Sequence, residues 1–264
     1  MAPPTLLRCF SDEHPRYPTE RKAEMQARTV RPSSQTTHDQ VPPRVLIAES
    51  VETWLRLAEN FIYSTRARNN ANLNYGHIPL TEQCSIATEQ DVVKLSTLYI
   101  IHPVMIAINA KFPNVLTQYS ESPAQPLRID LTFNRQRSIY GPGVREVVMI
   151  MEYKRCWYIH EDEFANAMRH RDDLYTALEE LDELRQWSTL QTGSNASWFV
   201  KQARAYAINT GCHYAALCDY EHLILIHFLD HESAEVTIVP RSEFRKALLG
   251  FLIAACRDRG MIIG

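Results

Sequence analysis

The apolar run VVMIM at 147–151, closing on Glu152, Tyr153 and Lys154, limits what this chain can fold into more than any other stretch. Five apolar residues without a break, preceded by Gly141, Pro142 and Gly143, suit a strand buried on both faces. Side chains alternate along a strand, so Glu152 and Lys154 point to the same face. An acid and a lysine at the end of a buried strand cost free energy unless something compensates them. Just upstream, Leu127, Ile129, Leu131 and Phe133 alternate with Arg128, Asp130 and Thr132, which is a strand period. Tyr140, Gly141, Pro142 and Gly143 mark a turn. Residues 128–155 therefore read as two strands joined by a turn, with Asp130 on the first and Glu152 and Lys154 ending the second.

These three side chains match the needs of phosphodiester hydrolysis. That reaction calls for one or two hard cations to neutralise phosphate and acidify the attacking water. Mg²⁺ takes carboxylate oxygens and keeps several waters, so Asp130 and Glu152 are its candidate ligands, with Mn²⁺ as the substitute. Lys154 is the candidate for orienting the water or stabilising developing charge. Between 128 and 155 the basic residues are Arg128, Arg135, Arg137, Arg145, Lys154 and Arg155, against Asp130, Glu146 and Glu152. Such a local excess can position phosphates, or the arginines can simply solvate the turn. A lone Glu-x-Lys can equally be a surface pair at a strand end.

Asp130 ahead of Glu152-x-Lys154, with a hairpin between them, resembles the PD-(D/E)XK nuclease superfamily. Gln202-Ala-Arg-Ala-Tyr206 carries the Gln-x-x-x-Tyr pattern of its RecB-type members. The resemblance spans roughly residues 85–230 and looks closest to the superfamily's members in filamentous fungi. It implies a restriction-endonuclease-like core and a catalytic set of Asp130, Glu152 and Lys154. It also implies metal binding by Asp130, Glu152 and an early-helix glutamate. Glu89 is the first choice for that glutamate, ahead of Glu82 and Glu59. Gln202, Tyr206, Arg128 and Arg155 would bind substrate or support the site. The expected cofactor is Mg²⁺ or Mn²⁺. The expected substrate is nucleic acid, DNA ahead of RNA. A catalytically inactive nuclease-fold module that binds nucleic acid or protein is the alternative. Two departures are visible. Ile129 replaces the proline of the motif, and 155–200 is longer than a minimal member needs. Each helix residue also has a plainer reading. Glu89 suits the first-turn dipole. Gln202 and Tyr206 can be a solvated edge, with Phe199, Ala203 and Ala207 packing.

The surrounding chain gives an α/β (α+β) class, a central mixed sheet flanked by helices with an acidic helical insertion at 158–192. Residues 1–44 hold half of the fourteen prolines and read as a flexible tail, with a short helix allowed at 20–28. The folded domain is expected over 45–264. Glu49 or Ser50 can cap a helix through Val51, Trp54, Leu55, Ala58, Phe61 and Ile62, followed by a polar loop at 66–76. A second helical region starts near Thr88 and is interrupted by Pro103. Residues 113–126 read as loop with a short strand allowed, 160–187 as acidic helix, and 197–210 as a helix closed by Gly211. Strands are expected at 213–218, 222–229 and 235–239, with a last helix at 242–257.

The formal net charge of −3 argues against a protein that coats nucleic acid through bulk charge. No unbroken span approaches eighteen apolar residues, and the first residues lack a signal-peptide pattern. The expected location is intracellular, nuclear or cytoplasmic, with no membrane partner and six reduced cysteines. A homodimer and a protein partner for the acidic helix both stay open.

Overall fold

The computed structural model describes residues 6–19, 22–29, 39–69, 85–119, 129–136 and 145–261. Eight strands form one mixed sheet in the order β2-β3-β4-β6-β7-β8-β1-β5. They are β1 (Val45–Ala48), β2 (Val115–Tyr119), β3 (Leu131–Gln136), β4 (Arg145–Tyr153), β5 (Met168–Arg169), β6 (Tyr214–Cys218), β7 (Leu223–Phe228) and β8 (Ser233–Val239). Strands β2, β3 and β4 make an antiparallel meander. The chain then crosses over and returns as β6, parallel to β4. A second antiparallel meander runs β6-β7-β8, and β1 and β5 extend it in parallel. The result is an α+β architecture with helices on both sheet faces.

One face is covered by α3 (Val51–Asn69), α4 (Glu89–Asn109) and α8 (Phe244–Asp258). Their Trp54, Val92, Ile100 and Phe251 pack with Met151, Tyr153, Ala216 and Cys218 of the sheet. The other face is covered by α5 (Glu161–Ala167) and α7 (Asn195–Thr210), whose Phe164, Phe199 and Ala203 pack on Ile150, Ala215 and Leu217. The period of two in β4 thus sends Met151 and Tyr153 to one layer, and Ile150 and Glu152 to the other.

Local chemistry explains the helix ends. Ser50 Oγ accepts from the Glu52 N–H at the start of α3. Thr88 and Asp91 form a reciprocal capping box on α4. Ser194 caps α7, and Gly211 closes it at φ 62°. Helix α4 contains a π turn at Thr97–Ile101 just before Pro103, so the helix absorbs the proline instead of stopping there. Among the described helices α4 alone is long and apolar enough to cross a membrane, yet its Val92, Leu95, Val104 and Ile108 are core residues.

Helices α3 and α8 cross where α8 carries Gly250. A Cβ built there would sit 1.9 Å from the Trp54 carbonyl oxygen. The Gly250→Ala protein is expected to lose about 2–3 kcal/mol of stability, because a backbone atom cannot step aside as a side chain does. Denaturant titration checks this, and an unchanged midpoint would contradict the close crossing.

Several sequence expectations are corrected. The expected loose tail does not describe 6–19, where Cys9, Phe10 and His14 are buried. Arg245 donates to the carbonyls of Cys9 and Asp12, and Arg241 to that of Pro15. Helix α1 (Leu6–Ser11) is too short for a sequence period to reveal its buried side. The short helix allowed at 20–28 is present as α2 (Lys22–Gln26). Strand β1, four residues long, was not expected. Helix α3 continues to Asn69, into the expected loop. The acidic insertion is not one helix. It is α5, the edge strand β5, a short 3₁₀ turn and α6 (Leu174–Glu183). Ala177 and Leu181 of α6 pack on Val45 and Ile47 of β1. Strand β1 lies four positions from β4 in the sheet, about 19 Å away at ordinary strand spacing. Leu46 of β1 faces the α7 layer, so α6 lies on the opposite face from Glu152. Helix α6 therefore does not crowd the Glu152 site, whereas α5, the other acidic helix of the insertion, shares the α7 face with it.

Candidate functional site

Strand β4 delivers Glu152 and Lys154 to the α7 side, and both are buried, at 4% and 8% exposure. The Lys154 N–H donates to the Cys218 carbonyl at 2.9 Å, so the β4–β6 ladder holds the backbone at the lysine. Gln202 and Tyr206 lie one turn apart on α7 and face the sheet. Lys154 Nζ donates to Glu152 Oε1 at 2.7 Å and to Gln202 Oε1 at 2.9 Å. Gln202 Nε2 donates to Glu152 Oε1 at 2.6 Å and to Tyr206 Oη at 2.7 Å. The Phe199 ring closes the site, 5.2 Å from Nζ. Gln202 thus uses its carbonyl on Lys154 and its amide N–H groups on Glu152 and the phenol. A closed network of this kind fixes each rotamer. The solvated-edge reading of Gln202 and Tyr206 does not hold, since Tyr206 is 4% exposed.

Asp130 lies just before β3, not within it. Leu131 pairs with Met151, so the antiparallel register sets Asp130 across from Glu152. Asp130 Oδ2 accepts the Tyr153 N–H at 2.8 Å. Burial pushes the Glu152 carboxyl well above the usual range. Lys154 opposes this, while the charges of Asp130 and, more weakly, Glu89 add to it. Glu152 therefore senses the other two carboxylates proposed as metal ligands. Glu152 Oε2 is buried and has no hydrogen-bond partner among the described residues. A buried carboxylate oxygen left without a donor is costly, and a bound cation would satisfy it.

Glu89 occupies the first turn of α4 and is exposed, while Asp91 is the acid of the capping box. Arg155 donates twice to the Ala87 carbonyl, at 3.1 and 2.8 Å, and so ties the start of α4 to the end of β4. This is a supporting role. Arg135 donates to the Arg259 carbonyl and Arg145 to Gln118 Oε1, so both hold the hairpin. Glu59 faces Lys246 of α8, 4.0 Å away, and takes no part in the site. Arg128, Arg137 and Glu82 lie outside the described residues.

No protein-family model matches the chain, and neither a curated protein nor a solved structure matches it.

Among the described residues no three His, Cys, Asp or Glu side chains gather closely enough to hold a metal ion by themselves. Mg²⁺ commonly takes one or two carboxylates and completes its shell with water and substrate oxygens. Asp130 and Glu152, with the partnerless Oε2, fit that smaller requirement. The Cys212 thiol is pushed up to about 11 and the Cys218 thiol to about 12, chiefly by burial. Both are free and buried, as are the other described cysteines.

Sequence reasoning missed Asp219 and His222. Asp219 follows Cys218, the partner of Tyr153, so it stands beside Lys154 across the parallel ladder. It is fully buried and accepts the N–H groups of Ile159, Glu221 and His222, at 3.2, 3.1 and 2.8 Å. His222 Nδ1 lies 3.0 Å from Asp219 Oδ1. The only sequence signal was a polar turn between two apolar strands. Tyr206→Phe removes the acceptor at the end of the Gln202 chain. It is expected to cost about 1 kcal/mol of stability, the worth of one hydrogen bond, in a thermal melt.

Proposed function

We propose that this protein is a Mg²⁺- or Mn²⁺-dependent nuclease of PD-(D/E)XK type, acting on nucleic acid, with DNA ahead of RNA as substrate. The observation that carries the reading is the Lys154–Glu152–Gln202–Tyr206 network, set beside Asp130 and leaving Glu152 Oε2 without a donor. Both motifs of the resemblance meet in that network, although they are distant in sequence.

The roles follow from the geometry. Asp130 and Glu152 would hold the cation, with Glu89 at the near end of α4. A cation bound there supplies charge neutralisation for the phosphate and lowers the pKa of a coordinated water. Lys154, oriented by Gln202, presents its ammonium beside the carboxylates, where it can position the attacking water and stabilise charge on the phosphate oxygens. Tyr206 holds Gln202, and Arg155 holds the start of α4. Low solvent access strengthens each of these interactions.

A second reading is an inactive nuclease-fold module that binds nucleic acid or protein. It draws on the absence of a three-ligand group among the described residues and on the ion pair that already engages Lys154 with Glu152. Calorimetric titration separates the two. Mg²⁺ or Mn²⁺ binding that disappears in Asp130→Asn supports the nuclease. No metal binding by the parent protein supports the module. A nuclear or cytoplasmic location belongs to the first reading.

A further inference from the structure

The candidate site is closed to a polymer, since Glu152, Lys154 and Tyr206 are all buried. A phosphodiester must bring an oxygen to about 3 Å from Lys154 Nζ, so something beside the site has to move. The elements that build the site are poor candidates. Phe199 and Ala203 of α7 and Val92 and Leu95 of α4 are core residues. The loop after β4 is held by Arg155 on the Ala87 carbonyl and by Asp219 on the Ile159 N–H.

The N-terminal chain passes along the same elements. Its first part is anchored. Phe10 is buried, and Arg245 donates to the Cys9 and Asp12 carbonyls at 2.6 and 2.9 Å. Tyr220 Oη donates to the Pro15 carbonyl at 2.9 Å. The anchor ends near the site. The Ile86 N–H donates to the Pro18 carbonyl at 2.8 Å, and Thr19 Oγ1 lies 3.7 Å from Cys156 Sγ. Ile86 comes three residues before Glu89, and Cys156 two residues after Lys154. Residues 22–28 then reach from the loop after β4 to the start of α7. Lys22 Nζ sits 3.6 Å over the Trp157 ring, and Asn195 Nδ2 donates to the Arg28 carbonyl at 3.0 Å. The chain thus ties together the start of α4, the loop that follows Lys154 and the start of α7, one turn before Phe199.

The two parts are held unequally. Lys22, Ala23, Glu24, Gln26, Ala27 and Arg28 are exposed. Helix α2 has five residues, too few to persist alone. A cation over an indole and one hydrogen bond are each modest contacts at a surface. Segments with few buried contacts open without the rest of the fold. Residues 22–28 can therefore lift about the Thr19 anchor while 6–19 stays docked.

We propose that residues 22–28 are an autoinhibitory strap, which closes the Lys154 site at rest and lifts when nucleic acid binds. The assignment rests on the nuclease reading for the site that the strap closes. Strap and substrate then compete. Weakening the strap enlarges the binding-competent fraction and tightens apparent affinity by the same factor.

The test is Lys22→Ala in the full chain, with Lys22→Arg restoring a cation over Trp157. The Lys22 side chain is exposed, so the fold is kept. Hydrogen exchange across 22–28 should run about threefold faster in Lys22→Ala than in the parent or Lys22→Arg. Metal-free binding to a short fluorescein-labelled DNA, single-stranded or duplex, should tighten about threefold, and cutting with Mg²⁺ at subsaturating DNA should rise equally. The sign is decisive, because by charge alone the loss of a lysine weakens nucleic-acid binding. Added DNA should in turn speed exchange across 22–28 of the parent. Equal or weaker DNA binding by Lys22→Ala, no binding by either protein, or unchanged or slower exchange on adding DNA overturns the strap. Parent cutting that Lys22→Ala leaves unchanged or lowers sinks the strap and spares the nuclease reading. Faster exchange and tighter binding in a protein that cuts nothing sinks the nuclease reading and leaves the strap over a nucleic-acid site.

Discussion

Lys154→Ala is expected to remove Mg²⁺-dependent cutting, by on the order of a thousandfold in kcat, while substrate binding and fold persist. The magnitude follows from the position of the ammonium. It is buried, held by Glu152 Oε1 and Gln202 Oε1, and backed by the Phe199 ring. In that setting a positive charge aimed at developing negative charge is preorganised and poorly screened. The fold survives because the neighbour left behind, Glu152, can take a proton, and its carboxyl is already pushed up by burial. The measurement is single-turnover cleavage of labelled DNA and RNA with Mg²⁺ or Mn²⁺, alongside circular dichroism. Cutting that survives both Lys154→Ala and Asp130→Ala would end the proposed mechanism.

The second large effect is a pH dependence of stability centred on Glu152. Burial, with Asp130 and Glu89 adding to it against Lys154, raises this carboxyl from 4.5 up to about 8 in the fold. A folded value above the unfolded one means the folded state binds the proton more tightly. The stabilisation is complete below the unfolded value and is lost as pH rises through the folded value. The thermal midpoint of the metal-free protein should therefore fall between about pH 5 and pH 8, by an amount equivalent to at most about 4 kcal/mol. Glu152→Gln should flatten that slope. Mg²⁺ should raise the midpoint more at the alkaline end, because a cation binds the ionised carboxylate and its binding releases the proton. A flat midpoint across the range, or the same slope in Glu152→Gln, would contradict a buried, proton-holding Glu152.

The elements legible in the sequence share a cause. Strand β4 showed itself because a run buried on both faces must be apolar throughout. Helices α4 and α7 showed their ends near Thr88 and at Gly211, because unsatisfied N–H and C=O groups at helix ends select such residues. Strand β1 and helix α1 stayed hidden because four and six residues are too few to display a period. The acidic insertion misled for a different reason. Its charge pattern is that of a solvated helix, while its place in the fold depends on Ala177 and Leu181 finding β1, a long-range event.

The candidate site divides along the same line. Sequence alone determined the residue types: a carboxylate before a hairpin, a Glu-x-Lys at the end of a buried strand, and a Gln and Tyr one helical turn apart. Such patterns follow from strand and helix periods, which are local. Only the tertiary structure decided that Gln202 reaches Lys154 and Glu152, that Arg155 is occupied at Ala87, and that α6 lies on the other face. It alone set the Asp219–His222 pair beside Lys154. Those outcomes depend on which strands become neighbours across the crossover from β4 to β6, and no local period encodes that adjacency.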